Sequence, residues 1–288
     1  MAYVRLKNWR PGSWRLRSWD FAGWRHVTAL VAAIALAAGS WHATLAAETA
    51  EQDVWPALQK EIFGDRDVVE DPAAIALEAP YRAEDAALVP LVVRIPATIA
   101  PSVTKLSLVI DKNPAPLVAD FTFGPAAGDG ERRIETRVRV DMYSNVRAIV
   151  ETADGKLHMA TKFVKAAGGC SAPALKDTDA ALAEAGKMQI KFLGGTDHRE
   201  GELKIRHPQY SGLQLNQVTG YYIPAKFLRV IDVQRGQDRV FRMEGGISLS
   251  ENPNIRFTYQ GGPDETLKVF AEDTDGRSFT GSAAPKGS

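Results

Sequence analysis

Two patterns and one interruption predict an all-β chain of two β-sandwiches joined by a flexible, partly helical tether. Short runs rich in Val, Ile, Phe and Tyr recur at close spacing, separated by Gly, Pro, Asn and Asp. Several of these runs alternate apolar and polar residues with period two, as a strand with one solvated face must. Between residues 166 and 187 both signals stop.

The first 47 of the 288 residues differ from the rest. They hold six basic side chains against a single acid, Asp20, and five of the six tryptophans. VTALVAAIALAAG (27–39) is an uncharged apolar run of 13 residues, short of the roughly 20 that a membrane-spanning helix needs. With the small residues of ATLAAE (43–48) it predicts a secretory signal peptide, residues 1–47, cleaved near Ala46 or Ala47. The long Trp/Arg stretch leaves an uncleaved amphipathic anchor as the alternative. The remaining chain carries 29 basic and 34 acidic side chains, net −5. That sign argues against a nucleic-acid partner. With no later apolar run long enough to span, no stable membrane insertion is expected after cleavage, and the mature protein is placed outside the cytoplasm.

The mature chain opens with VWPALQKEIFGD (54–65), where Val54, Leu58 and Ile62 stand at helical spacing and Pro56 falls in the first turn. Strand signals follow at AIALEAP (74–80), ALVPLVVRI (87–95), TKLSLVID (104–111) and LVADFTFG (117–124). RIETRVRVDM (133–142) sets Ile134, Thr136, Val138, Val140 and Met142 on one face and Arg133, Glu135, Arg137, Arg139 and Asp141 on the other. VRAIVETADGKLHMATKFVK (146–165) is two strands about Asp154-Gly155, a hairpin-turn pair. After the interruption, ALKDTDAALAEAGK (174–187) reads as a short polar helix or linker. Strands resume at MQIKFL (188–193), ELKIRH (202–207), GYYIPAKFLRVIDVQRG (220–236), RVFRMEG (239–245), IRFTYQG (255–261) and TLKVFAED (266–273).

The interruption begins KAAGGCSAP (165–173) and contains Cys170, the single cysteine. An exported protein with one cysteine cannot close an internal disulfide, so the thiol is either buried and inert or exposed for a purpose. Ala166, Ala167, Gly168, Gly169, Ser171 and Ala172 offer little apolar bulk to bury it. A glycine-rich segment offers reach instead, about 10–14 Å for four to six residues. The flanks therefore predict a mobile, solvent-reactive thiol.

A β-sandwich ending in Gly168-Gly169-Cys170 resembles SoxY, and APYRAEDAALVPLVVRI (79–95) and IDKNPAPLVADFTFGP (110–125) fit the same pattern. A second sandwich with IRHPQYSG (205–212), GYYIPAKFL (220–228) and GISLSENPNIRFTY (246–259) resembles SoxZ. The order is that of the fused SoxYZ-like carriers associated with quinoprotein dehydrogenases. The resemblance implies immunoglobulin-like sandwiches over 48–165 and 188–280, an arm and linker over 166–187, and a tail over 281–288. It implies a periplasmic carrier rather than an enzyme, with no catalytic residue, cofactor or metal. Cys170 would be the covalent attachment site of a sulfur-containing intermediate, a thioconjugate, with Gly168 and Gly169 as the swinging arm. Sox-type enzymes, c-type cytochromes or a quinoprotein (PQQ) dehydrogenase would be the partners. The alternative role is a non-covalent accessory module of such a dehydrogenase, with the cysteine incidental.

Two positions depart from the resembled pattern. Ser171-Ala172 replace the two glycines that end the SoxY arm, and here the chain runs on. HPQYSG (207–212) stands for His-Pro-Met-Glu-Thr-Gly, with Gln209 and Tyr210 changed.

Other constellations have plainer readings. Asp197, His198 and His207 suggest a metal site, but Arg199, Lys204 and Arg206 crowd them with positive charge, and solvated strand-edge histidines are expected. Cys170 with His158 would need a rigid seat and oxyanion hole to act as a hydrolase, and a Gly-Gly arm supplies neither. The Arg133/Arg137/Arg139 stripe is interleaved with Glu135 and Asp141 and reads as a solvated strand face.

Overall fold

A computed structural model describes residues 53–173, 178–194, 198–262 and 266–285. The expected signal peptide lies outside these described residues. Helix α1 (Trp55–Phe63) begins the fold, with proline in its first turn, where a missing N–H costs no helix bond. Its Trp55 and Phe63 pack with Val109, Ile149, Leu157 and Met159.

The first half then contributes β1 (Val68–Glu70), β2 (Ala76–Glu78), β3 (Val89–Ile95), β4 (Val103–Ile110), β5 (Leu117–Phe123), β6 (Arg132–Val138), β7 (Ser144–Thr152) and β8 (Leu157–Val164). Helix α2 (Thr178–Ala183) leads to the second half: β9 (Met188–Phe192), β10 (His198–Ile205), β11 (Leu228–Arg235), β12 (Asp238–Gly245), β13 (Asn254–Gln260), β14 (Leu267–Asp273) and β15 (Ser278–Ala283). The protein is all-β in two immunoglobulin-like halves, as its sequence predicts.

Period-two patterning explains the half-buried strands. Along β6 the residues alternate buried and half-buried without a break. β4 does not alternate, because it is covered twice: Leu108 and Ile110 face the main core, and Val109 faces the helix. A strand buried on both faces reads as a continuous apolar run. Two strands carry too little apolar signal to be expected: β1, which runs parallel to β8, and the polar edge strand β15.

The halves do more than share a tether. The strands form one nine-stranded sheet, β1-β8-β7-β4-β5-β12-β11-β14-β15, and one six-stranded sheet, β2-β3-β6-β13-β10-β9. Each sheet therefore crosses from one half into the other. In the larger sheet β5 pairs antiparallel with β12, setting Phe121 opposite Met243. In the smaller one β6 meets β13 at Ile134–Phe257 and Glu135–Arg256. Each half caps the other's edge strands, which would otherwise expose unpaired N–H and C=O groups.

The core crosses the same seam. Phe121 lies 5.6 Å from Phe241, and Phe241 lies 5.2 Å from Phe257 in an edge-to-face contact. Such aromatic pairs add roughly 0.5–1.5 kcal/mol each beyond the area they bury. Leu91, Ile95 and Leu106 of the first half share this cluster with Val233, Phe241 and Tyr259 of the second.

Candidate functional site

Past the end of β8, Lys165 N–H donates to Tyr81 O and Ala83 N–H to Lys165 O, which steers the chain back over the first half. Ala166 sinks into the main core. Gly168 then takes φ +78°, a conformation that glycine adopts without penalty. Its N–H donates to Asp141 O (2.8 Å), and Gly169 N–H donates to Val140 O (3.0 Å). The Gly169 backbone lies so close to its neighbours that an added Cβ would stand 2.1 Å from Ala86 O and 2.7 Å from Val140 O. Both glycines thus serve a docked segment.

Cys170 follows with 0% of its surface exposed. Its N–H donates to Asp141 Oδ1 (3.2 Å), and its carbonyl accepts from Ser211 Oγ. Two residues on, Gln214 Nε2 donates to Ala172 O (3.0 Å). The expected solvent-exposed thiol is overturned. The loop is held by residues distant in sequence. These are Asp141 from the loop after β6, and Ser211 and Gln214 from the second half. HPQYSG and Gly-Gly-Cys, widely separated in sequence, meet at one place.

Arg139 ties them together. The sequence pattern puts it on a solvated strand face, but β6 ends at Val138 and Arg139 is only 1% exposed. Its Nη1 donates to Gly169 O (3.1 Å) and its Nη2 reaches Gln209 O (3.4 Å). Arg133 and Arg137 are half-buried rather than fully solvated, and Arg133 is paired to Glu135 and Glu200.

Gln209 is the pivot on the other side. It is fully buried and adopts φ +48°. Its Oε1 accepts from Leu228 N–H (2.7 Å) and its own N–H donates to His207 Nδ1 (3.1 Å). The sequence places His207 at a wet strand edge; it is buried instead, with Nε2 3.7 Å from Asp273 Oδ2. Burial pushes its pKa below the ordinary imidazole value, against the pull of Asp273. His207 is therefore neutral, as its acceptor role toward Gln209 N–H requires.

The electrostatics silence the docked thiol. Burial, then the Asp141 carboxylate, pushes Cys170 up to about 12, while Arg139 acts in the opposite direction. At neutral pH the docked thiolate fraction is about one part in 10⁵, and thiolate is the reactive form.

The other candidates are dispersed. His158 Nδ1 engages Asp71 Oδ2 at 2.9 Å. His198 begins β10 and His207 lies two residues past its end, so the length of an eight-residue strand separates them. Asp197 lies outside the described residues, among which no cluster of three metal-ligating side chains occurs. Nothing in the sequence singles out Arg139, Asp141, Ser211 and Gln214 for this site. The one available signal is Gln209, a change inside a recognisable segment.

Fold and site together define a β-sheet protein that secures its only cysteine, on a glycine loop, against the facing half of the same chain. The family comparisons divide it in the same order. Residues 59–170 match the sulfur oxidation protein SoxY, ending on Cys170, and residues 196–284 match the sulphur oxidation protein SoxZ. The chain is a SoxY–SoxZ fusion. Among solved structures it is similar to the sulfur carrier protein SoxY from Chlorobium limicola f thiosulfatophilum, with 28% identity, a TM-score of 0.33, and coverage of 39% of this chain and 94% of that one. No curated protein matches the chain.

Proposed function

We propose that this protein is a periplasmic carrier in sulfur-compound oxidation, holding its cargo covalently on Cys170 Sγ and presenting it to partner oxidoreductases. One observation carries the reading: the only thiol sits at the end of the SoxY match, on a loop held by a few reversible hydrogen bonds. Joining a cysteine sulfur to a second thiol-type sulfur forms an S–S bond and releases two electrons and two protons. A partner oxidoreductase such as a c-type cytochrome would take the electrons.

The docked geometry gives such a carrier a resting state. With the thiol buried and protonated, the unloaded carrier does not react. Release of the loop restores an ordinary thiol with a pKa near 8.5. The hydrogen bonds that hold residues 168–172 are each worth about 0.5–1.5 kcal/mol net, a scale that a docking partner can match.

The burial of Cys170 also favours a second reading, an accessory module for a quinoprotein dehydrogenase in which the thiol is structural. Intact-mass spectrometry of protein taken from its native periplasm separates the two. A carrier shows sulfur-containing mass increments that disappear on reduction and are absent in Cys170→Ser. An unmodified mass under every growth condition, with full function of Cys170→Ser in cells, sinks the carrier reading.

A further inference from the structure

The pairing of β6 with β13 stops at Glu135–Arg256. Two residues further along, where Arg137 would face Asn254, the strands open instead on a cavity of about 450 Å³. Its walls bring together four cations from both halves of the chain. Arg137 comes from β6, and Lys187, Lys204 and Arg206 come from the second half. The backbone holds two of them side by side: Arg206 N–H donates to Lys187 O (2.8 Å), and Gly186 N–H donates to Arg206 O (2.8 Å). Gly186 allows that turn by taking φ +89°. One carboxylate, Glu184, lines the cavity with them.

The lysines have counter-ions. Lys187 pairs with Glu184, and Lys204 Nζ stands 3.3 Å from Glu202 Oε1. The arginines do not. Arg137 Nη2 donates to the neutral carbonyl of Asn252 (3.3 Å), and Arg206 meets Glu184 only through the longer-range field. Among the described residues neither forms an ion pair, although Arg94, Arg133 and Arg256 of the same sheet all do. Two positive charges are left over around one concavity, in a chain that is net −5 beyond residue 47. A cleft lined by one sign of charge focuses its field on a counter-ion.

We propose that this cavity binds a compact dianion with oxyanion ends, of the sulfate, phosphate or short dicarboxylate type. Two guanidiniums match two negative charges, and each presents a planar fork of N–H donors to a pair of oxygens. At about 30 Å³ per water, the cavity admits such an ion together with part of its hydration shell. The bound ion joins β6 to the second half where strand pairing has stopped. The site stands apart from the carrier reading, because its residues neither belong to the cysteine loop nor hold it.

The test titrates the full chain with sodium sulfate, sodium phosphate, sodium malonate and, as a monoanion, sodium acetate. Ionic strength is held constant with sodium chloride, so that general screening does not vary. Amide ¹H–¹⁵N shifts are read at Arg137, Lys187, Arg206 and Asn252. The dianions should give saturating shifts there, with an affinity about tenfold or more above that of acetate. The order among sulfate, phosphate and malonate assigns the ion as tetrahedral or dicarboxylate. Arg206→Gln removes an exposed charge, keeps the backbone bonds to Lys187, and should weaken binding about tenfold. Lys156→Gln removes the same charge on the β7–β8 turn, outside the cavity, and should leave binding unchanged. Linear, unsaturated shifts with every anion in the wild type overturn the site, whether or not the variants fold, as does acetate binding as tightly as the dianions. Equal loss in the two variants also overturns it, since the anions would then be responding to net charge alone.

Discussion

Arg139 Nη1 donates to the carbonyl of Gly169, one residue before the only thiol, at 3.1 Å. The same guanidinium reaches Gln209 O in the other half of the chain. A single buried side chain thus spans from the loop to the surface against which it docks.

Gly169→Ala should eject the loop. The added methyl would stand 2.1 Å from Ala86 O, a backbone atom held by the Val140 N–H bond. Labelling of Cys170 by a thiol probe in native buffer should accelerate on the order of tenfold or more, with the far-ultraviolet signature of the sheets unchanged. An unchanged labelling rate would show that the loop tolerates the methyl and that its close approach is not limiting.

Wild-type Cys170 should label much more slowly in native buffer than in denaturant, and docking should weaken in alkali. Burial raises the docked thiol from 9.0 to about 12. The docked form therefore keeps its proton where the free form has lost it. Docking is at full strength below pH 9 and weakens as pH climbs towards 12. Stability of the loop, read by exchange at Gly168 and Gly169 N–H, should show that alkaline slope in the wild type and lose it in Cys170→Ser. Native and denatured labelling at equal rates would contradict the docked geometry.

Cutting the tether should not part the halves. A protease site inserted after Pro173 should yield two fragments that co-elute in size-exclusion chromatography, because β5–β12 and β6–β13 pairing is independent of the linker. Fragments that elute apart at micromolar concentration would mean the seam is weaker than its pairing implies.

Phe241→Ala should destabilise both halves together. Phe241 is fully buried between Phe121 and Phe257. Truncating a buried phenylalanine costs about 3–5 kcal/mol. One cooperative transition shifted to lower denaturant is expected by calorimetry or urea titration. Loss of only the second half's structure would show that the core is divided.

The strands are legible because their side chains follow the pleat: Ile134, Thr136 and Val138 are buried in alternation with Arg133, Glu135 and Arg137. What the period-two pattern cannot disclose is which edge meets which. The pairing of Phe121 with Met243 depends on partners more than a hundred residues apart. Cys170 shows the same limit at the site. Its neighbours in sequence are small, and local composition correctly predicts that they cannot enclose it. The loop is held down by Asp141, Ser211 and Gln214, which no local window contains. Arg139 misleads for a related reason, since alternation holds only while the strand lasts and β6 ends one residue earlier.

The shared sheets make the thiol's cover a permanent companion. If the two halves were separate chains, dilution could strip Ser211, Gln209 and Gln214 away from Cys170, and the protected fraction would depend on how much of each chain a cell makes. Here every molecule holds both halves in equal number, and their encounter is intramolecular, at an effective concentration that dilution does not alter. The balance between sheltered and presented thiol is therefore a property of one molecule, free of any stoichiometry between gene products.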